Sequence, residues 1–381
     1  MNDVRTARAR LERWGSTPVG VVIGLFVLVR LATLMVAWLT TTVTPGLGIT
    51  EMLTEWDGNW NEIVANDWYT RVPLSGQYRH EWLTLAFFPV LPAITGVLHV
   101  LTGVGVHILG PLVSMAFGAV ASALLARLLD RRFGRQVAVA ACALLLVAPQ
   151  AFVLSMFYTE GPMLLWAVLT LDALDRGRWA RAGVWAFLGG LTRPNGFLLV
   201  VPCLVAAARH FRASEGRSRW AGWIAPTLAP LGFLGWLAVA WVATGEPSGY
   251  FAIQSEGWGA RVDGGAQTLR TMVDFVSGSP LSLDARLNVL SIAVFGFGGL
   301  VLAVRQRIDV VMVSWAVALV VLTAFSERQA SGGRFLLPAF PLFVAWATAI
   351  PRWLRTPVVV ASSMVMTALF VISTRDLGLT P

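Results

Sequence analysis

The residues best suited to chemistry in this 381-residue chain are acids and aromatics gathered in one stretch. Glu51, Glu55, Asp57, Glu62, Asp67 and Glu81 are interleaved there with Trp56, Trp60, Trp68, Tyr69, Tyr78 and Trp82. Carboxylates beside aromatic rings suit a sugar site, because a ring stacks on the apolar face of a sugar while an acid accepts a hydroxyl proton. The same pattern also suits a tryptophan belt at a membrane interface with its acids solvated. Four further charges, Arg30, Glu160, Arg193 and Arg334, lie within or at the edges of apolar runs, where charge is costly and commonly functional. Arg193 and Arg334 carry the planar fork that grips a phosphate by paired hydrogen bonds; the alternative is an ordinary anchor or salt bridge. Arg30 could snorkel or meet a carboxylate, and Glu160 at a helix start is favoured by the helix dipole alone.

Other chemistries lack their residues. There is no Walker loop, no His-Glu-x-x-His helix and no Asp-x-Asp pair to hold a nucleotide diphosphate through a metal. The two cysteines, Cys142 and Cys203, sit inside apolar runs, and the four histidines are dispersed, with only His80 in the acidic stretch. No metal or other cofactor is expected, and a sugar donor reads as a lipid phosphate.

The elements that must position these residues are membrane helices. The chain is 56% hydrophobic and 13% charged with a mean hydropathy of +0.68, far from soluble composition. Its net charge of +8 comes from arginine alone among the strong bases, in short clusters between apolar runs, which argues against nucleic acid as a partner. The first span, 19–43, follows Arg5, Arg8, Arg10 and Arg13, so the N-terminus is expected to be cytoplasmic. The run 86–104 is broken by Pro89, Pro92 and Gly96, and a crossing there would put Arg127, Arg131, Arg132 and Arg135 outside. It is therefore expected to be juxtamembrane or re-entrant. The run 180–209 reads as a hairpin folded at Thr192-Arg-Pro-Asn-Gly. The expected fold is an all-α polytopic membrane protein of about eleven transmembrane helices, a single domain over 1–381. Its first outer loop is 44–106, its remaining spans lie within 107–374, and a second large outer loop covers 244–286. This partition leaves 19 Arg and 7 acids inside against 9 Arg and 14 acids outside, with Arg30 in the first span.

Glu55-Trp-Asp-Gly-Asn-Trp, then Ile63-Val-Ala-Asn-Asp-Trp-Tyr, then Tyr78-Arg-His-Glu-Trp and Ala86-Phe-Phe-Pro-Val-Leu-Pro, resembles the first luminal loop of the PIG-V type mannosyltransferases and their bacterial relatives. Phe157-Tyr-Thr-Glu-Gly-Pro, Leu191-Thr-Arg-Pro-Asn-Gly and Gly333-Arg-Phe-Leu-Leu-Pro-Ala-Phe-Pro resemble that family's later landmarks, in order, so the likeness runs over about 20–350. One departure is Tyr158-Thr-Glu-Gly, where the family pattern suggests a Ser-Glu-Ser-like sequence. The resemblance implies a GT-C glycosyltransferase with juxtamembrane helices in its first outer loop. It would move mannose from polyprenyl-phosphate mannose to a glycolipid, lipoglycan or protein hydroxyl at the outer face of the cell membrane, with inversion. It makes Asp57 the general base, Arg193 and Arg334 phosphate ligands with His80 as a further donor, and Glu81, Glu160 and Asn195 substrate-binding residues. Trp56 and Trp60 are then the stacking residues. The rival readings are a GT-C enzyme for another lipid-linked sugar, and a lipid or solute transporter, although the chain shows no evident repeated halves.

Overall fold

A backbone in a bilayer must satisfy its own polar groups, and this chain does so by being helical nearly throughout. The computed structural model describes residues 15–44, 46–71, 81–328, 331–375 and 379. Among these the only extended pairing is an isolated antiparallel bridge between Val262 and Ser326. Six helical stretches are long and apolar enough to cross a membrane: Pro18–Val43, Val106–Phe133, Pro194–Ala213, Gly216–Thr244, Leu283–Arg305 and Arg352–Thr374. Four shorter apolar helices accompany them: Val90–Thr102, Arg135–Leu146, Val310–Ala324 and Phe340–Ala349. The expected all-α membrane architecture is the one found, whereas the count of about eleven full spans is not reached by this measure. Proline explains much of the difference. The run 136–155 stays α-helical only to Leu146, after which Pro149 and a tight 3-10 turn over Ala151–Ser155 intervene. The run 335–350 becomes a regular helix only at Phe340, past Pro338.

The two ambiguous runs differ in form. Val90–Thr102 has 13 residues, about 20 Å of helix, well short of a hydrocarbon core of about 30 Å. It packs on the Asp57–Asp67 helix so closely that a Cβ on Gly96 would lie 2.6 Å from the Ala65 carbonyl oxygen. The 180–209 run is two helical arms, Trp179–Gly190 and Pro194–Ala213, with Arg193 at the fold between them.

Charge gathers at the two ends of the bundle. Helix Glu160–Asp175, about 24 Å long by its 16 residues, begins at a cluster containing Asp57, Arg193 and Arg334. It ends at a second cluster, where Arg131 bonds Asp172 and Asp175 at 2.7 and 2.9 Å and Arg132 meets Asp175. Arg209–Asp309 at 2.7 Å joins two more helices beside that second cluster. One helix thus separates the two clusters along its length.

Arg30 belongs to neither cluster. It is 3% exposed and donates from Nη1 to the Ala151 carbonyl at 2.7 Å and Ser155 Oγ at 3.0 Å, and from Nη2 to the Leu146 carbonyl at 2.8 Å. These acceptors lie where the Arg135–Leu146 helix has ended and its carbonyls lack intrahelical donors. Arg30 thus pins the first helix to the segment that leads into Glu160, rather than meeting a carboxylate. Replacing it by Met leaves those carbonyls buried and unpaired, at a cost of about 2–5 kcal/mol. We expect Arg30→Met to lower the thermal unfolding midpoint in detergent clearly, and Arg30→Lys to recover part of the loss. An unchanged midpoint for Arg30→Met would contradict this role.

Candidate active site

Asp57 owes its position to strain in the residue before it. Trp56 adopts φ 57° and ψ −115°, a region that costs a non-glycine residue about 1–3 kcal/mol. Its indole Nε1 donates to the Ser373 carbonyl at 3.0 Å, which holds the kink in place. The chain then turns directly into helix Asp57–Asp67, with Asp57 in the first turn where the helix dipole favours a carboxylate. Asn61 follows one turn later on the same face. Its Nδ2 donates to the Phe157 carbonyl at 2.9 Å, and its buried Oδ1 accepts no hydrogen bond.

Glu160 opens the next wall. The segment before it is sewn to the Asp57 region by Phe157 N–H to the Leu53 carbonyl at 2.8 Å and Tyr158 O–H to the Glu55 carbonyl at 3.2 Å. Gly161 lets this end approach helix Val106–Phe133, since a Cβ there would lie 2.6 Å from the Ser114 carbonyl oxygen. Arg334 comes from the short helix Gly332–Phe335, where a Cβ on Gly332 would collide with the Asn288 side chain.

The four side chains form one chain of alternating charge. Arg334 Nη1 donates to Asp57 Oδ2 at 2.7 Å, and its Nε lies 3.3 Å from Glu160 Oε1, an ionic contact without hydrogen-bond alignment. Arg193 Nη1 donates to that same Glu160 oxygen at 2.5 Å. Glu160 is 1% exposed, so it serves as a buried bridge between two guanidinium groups. Burial alone would lower the Arg334 pKa, but Asp57 and Glu160 outweigh it and hold the guanidinium protonated. Burial, reinforced by the same two carboxylates, keeps Tyr158 a neutral phenol. Both guanidinium groups also lie over the Phe335 ring, at 5.1 and 5.3 Å from its centroid.

These groups border a cavity of about 160 Å³ lined by Asp57, Asn61, Arg193, Arg328 and Arg334, with aromatic faces from Phe87, Phe88, Trp258 and Phe335. A larger cavity of about 560 Å³ lies beyond the Gly332–Phe335 turn. It is lined almost wholly by apolar side chains such as Leu290, Val294, Phe343 and Trp346, with Gln150 and Ser291 among its few polar groups. Gly333 and Leu337 face the apolar cavity, whereas Arg334 and Phe335 between them face the polar one.

Of the residues singled out from sequence, Asp57, Arg193 and Arg334 line the polar cavity and Glu160 braces them from behind. Asn195, two residues from Arg193, is 4% exposed with neither side-chain polar atom hydrogen-bonded, and it does not line the cavity. Trp56 acts as the pin just described. Trp60 stands behind the aromatic wall, stacked on Phe87 with centroids 5.7 Å apart and edge-on to Trp258. Glu81 makes an exposed pair with Arg71 at 3.4 Å, a contact of small energetic weight, and lies outside the cavity lining. His80 lies outside the described residues. Asn61 was legible as the i+4 partner of Asp57. Arg328, in the polar stretch Ser326-Glu-Arg, carried no signal that set it apart from a solvated charge.

Residues 88–241 match the family described as dolichyl-phosphate-mannose-protein mannosyltransferase. A search of the curated proteins gave no match. Among solved structures the chain is similar to ArnT from Cupriavidus metallidurans. It has a TM-score of 0.53 and 17% identity to the form bound to undecaprenyl phosphate, and 0.55 and 17% to the apo form. Each match covers 94% of this chain and 66% of ArnT. The Archaeoglobus fulgidus oligosaccharyltransferase in its apo form is similar at TM-score 0.51 and 11% identity, over 94% of this chain and 56% of that one. The chain therefore shares the fold of these solved structures and spans about two thirds or less of their length.

The buried bridge has a direct energetic consequence. Removing one member of a buried ion network leaves charge uncompensated, at a cost of about 3–5 kcal/mol. Glu160→Gln preserves shape but strips Arg193 of its partner carboxylate. We expect a large fall in thermal stability for Glu160→Gln and a small one for the exposed Glu81→Gln, measured side by side in detergent. Equal effects would contradict the bridging role.

Proposed function

We propose that this protein is a polyprenyl-phosphate-dependent mannosyltransferase of the PIG-V type. It would transfer mannose to a hydroxyl of a membrane glycolipid, lipoglycan or protein at the outer face of the cell membrane. The observation that carries this reading is the junction of two unlike cavities at residues 333–337: a small polar one holding a carboxylate and arginines, and a larger apolar one. A lipid-linked sugar phosphate has the same division, with an isoprenoid chain for the apolar side and a charged, hydroxylated head for the other. The family matched over 88–241 and the undecaprenyl phosphate bound to ArnT support the donor class. The choice of mannose rests on that family and on the convergence of Asp57, Glu160, Arg193 and Arg334 from the resembling motifs.

In this mechanism Asp57 removes the proton of the acceptor hydroxyl as its oxygen attacks the anomeric carbon. Arg334 engages Oδ2, and the side chain keeps 35% of its surface accessible, so Oδ1 is the oxygen offered to the acceptor. The bond from the anomeric carbon to the phosphate oxygen breaks with its electron pair, and the guanidinium wall stabilises the departing lipid phosphate. Attack from the face opposite the leaving group inverts the anomeric centre. Phe87 and Trp258 offer aromatic faces to the sugar, and Asn61 Oδ1 an acceptor for one of its hydroxyls. Positive charge is supplied by guanidinium groups, so transfer is expected to need no metal.

A correctly placed base contributes about a hundred- to ten-thousand-fold in rate. We expect Asp57→Asn to abolish transfer of labelled mannose from polyprenyl-phosphate mannose into membrane glycoconjugates, at unchanged protein level, and the wild-type reaction to survive chelators. Near-normal transfer by Asp57→Asn would remove Asp57 from this role, loss of activity with chelator would overturn metal independence, and uptake of solute without any labelled product would support a transporter.

A further inference from the structure

The donor reading leaves one question that the charges answer. Arg334 is matched by Asp57 and Arg193 by Glu160, so the two arginines known from the motifs are neutralised within the protein. Arg328 lines the same cavity and makes no salt bridge to a carboxylate among the described residues. Among the described residues its Nη1 donates to a backbone carbonyl, that of Trp258, at 3.2 Å. Of these arginines Arg328 alone has no carboxylate within salt-bridge distance among the described residues; Asp57 and Asp284 act on it only through space.

We infer that Arg328 is the residue that grips the lipid-linked phosphate, an assignment resting on the donor class proposed above. A sugar–phosphate–lipid diester carries one negative charge, the contact counter-ion that Arg328 lacks. When the sugar departs, the phosphate becomes a monoester of about −1.5 to −2 charge, so its attraction to Arg328 grows as the bond breaks. The surroundings of the two cations differ in the required direction. Arg334 is held protonated by its carboxylates, whereas burial, with the like charge of Arg334, lowers the Arg328 pKa against the opposing pull of Asp57 and Asp284. Arg328 is a half-buried cation waiting for its counter-ion.

The backbone around it is built to hold it there. Glu327 N–H donates to the Arg261 carbonyl at 2.9 Å, Asp263 N–H to the Phe325 carbonyl at 3.1 Å, and Val262 pairs with Ser326. Asp263 in turn accepts from Gly265 N–H at 2.8 Å and Gln267 N–H at 2.6 Å, fixing the start of helix Ala266–Ser277. The second large loop, 244–286, thereby has a role: it carries Trp258 to the cavity wall and clamps the strand-like segment that presents Arg328.

The test is binding of undecaprenyl phosphate and, separately, undecaprenol to the full chain in nanodiscs, for wild type, Arg328→Ala, Arg328→Gln and Arg328→Lys. Charge-assisted hydrogen bonds to a phosphate translate to about a ten- to hundredfold change in affinity. Wild type should prefer the phosphate. Arg328→Ala and Arg328→Gln should lose that margin while binding undecaprenol as wild type does, and Arg328→Lys should regain part of it. Arg328→Gln can still donate to the Trp258 carbonyl, so it tests the charge even where Arg328→Ala weakens the fold. A wild type that shows no preference for the phosphate overturns the donor reading itself. A wild type that prefers it, with Arg328→Gln retaining the full margin, overturns the role of Arg328 alone and returns the phosphate to Arg193 and Arg334.

Discussion

A single carboxylate oxygen, Glu160 Oε1, is the point on which the site depends. Two guanidinium groups converge on it from residues 33 and 174 positions further along the chain, and the second also holds Asp57. Burying a carboxylate that is 1% exposed is costly unless it is paired, and the two guanidinium groups supply the pairing. The first-loop helix, the helix starting at Glu160, the hairpin turn at Arg193 and the Gly332–Phe335 turn therefore have to meet at one place. Much of the surrounding structure serves that meeting: Trp56 bonded to Ser373, Asn61 to Phe157, Tyr158 to Glu55, and Arg30 to the segment leading into Glu160. Such a site is preorganised, since its dipoles and charges are oriented before any substrate arrives.

The bilayer supplies the complementary constraint. A charged cluster lies at one end of helix Glu160–Asp175 and a second at the other, and the cavity beside Gly333 is lined almost wholly by apolar side chains. The turn at 332–335 is where the two environments touch. Alternating small, charged and apolar residues over 333–337 place an arginine on one side and glycine and leucine on the other.

Much of this was legible from sequence because the informative residues break a simple pattern. Charges at the margins of apolar runs stand out, and Glu160, Arg193 and Arg334 were found that way, with Asp57 marked by its motif. Their pairing was not legible, because the partners lie up to 277 residues apart and only the fold brings them together. Trp56 and Trp60, expected to stack on the sugar, are not among the residues lining the polar cavity, for a related reason. Composition shows that aromatics are near the acids but not which faces line the cavity, and those faces belong to Phe87 and Trp258. Arg328 was silent because an arginine among Ser, Glu and Gln looks like a solvated loop residue. The count of about eleven spans is not confirmed, since hydropathy windows register apolar runs, whereas Pro149 and Pro338 decide where the helices within them end and begin.

On the proposed function the polar and apolar cavities together hold one lipid-linked phosphate beside Asp57. The most direct test is an experimental structure of the full chain in a lipid nanodisc with undecaprenyl phosphate bound. The account predicts phosphate density in the cavity bordered by Asp57, Arg193, Arg328 and Arg334, with the isoprenoid chain running past Gly333 into the cavity lined by Leu290, Val294 and Trp346. Phosphate bound instead at the Arg132–Asp175 end of the bundle, or a lipid chain that leaves the cavity beside Gly333 empty, would contradict it.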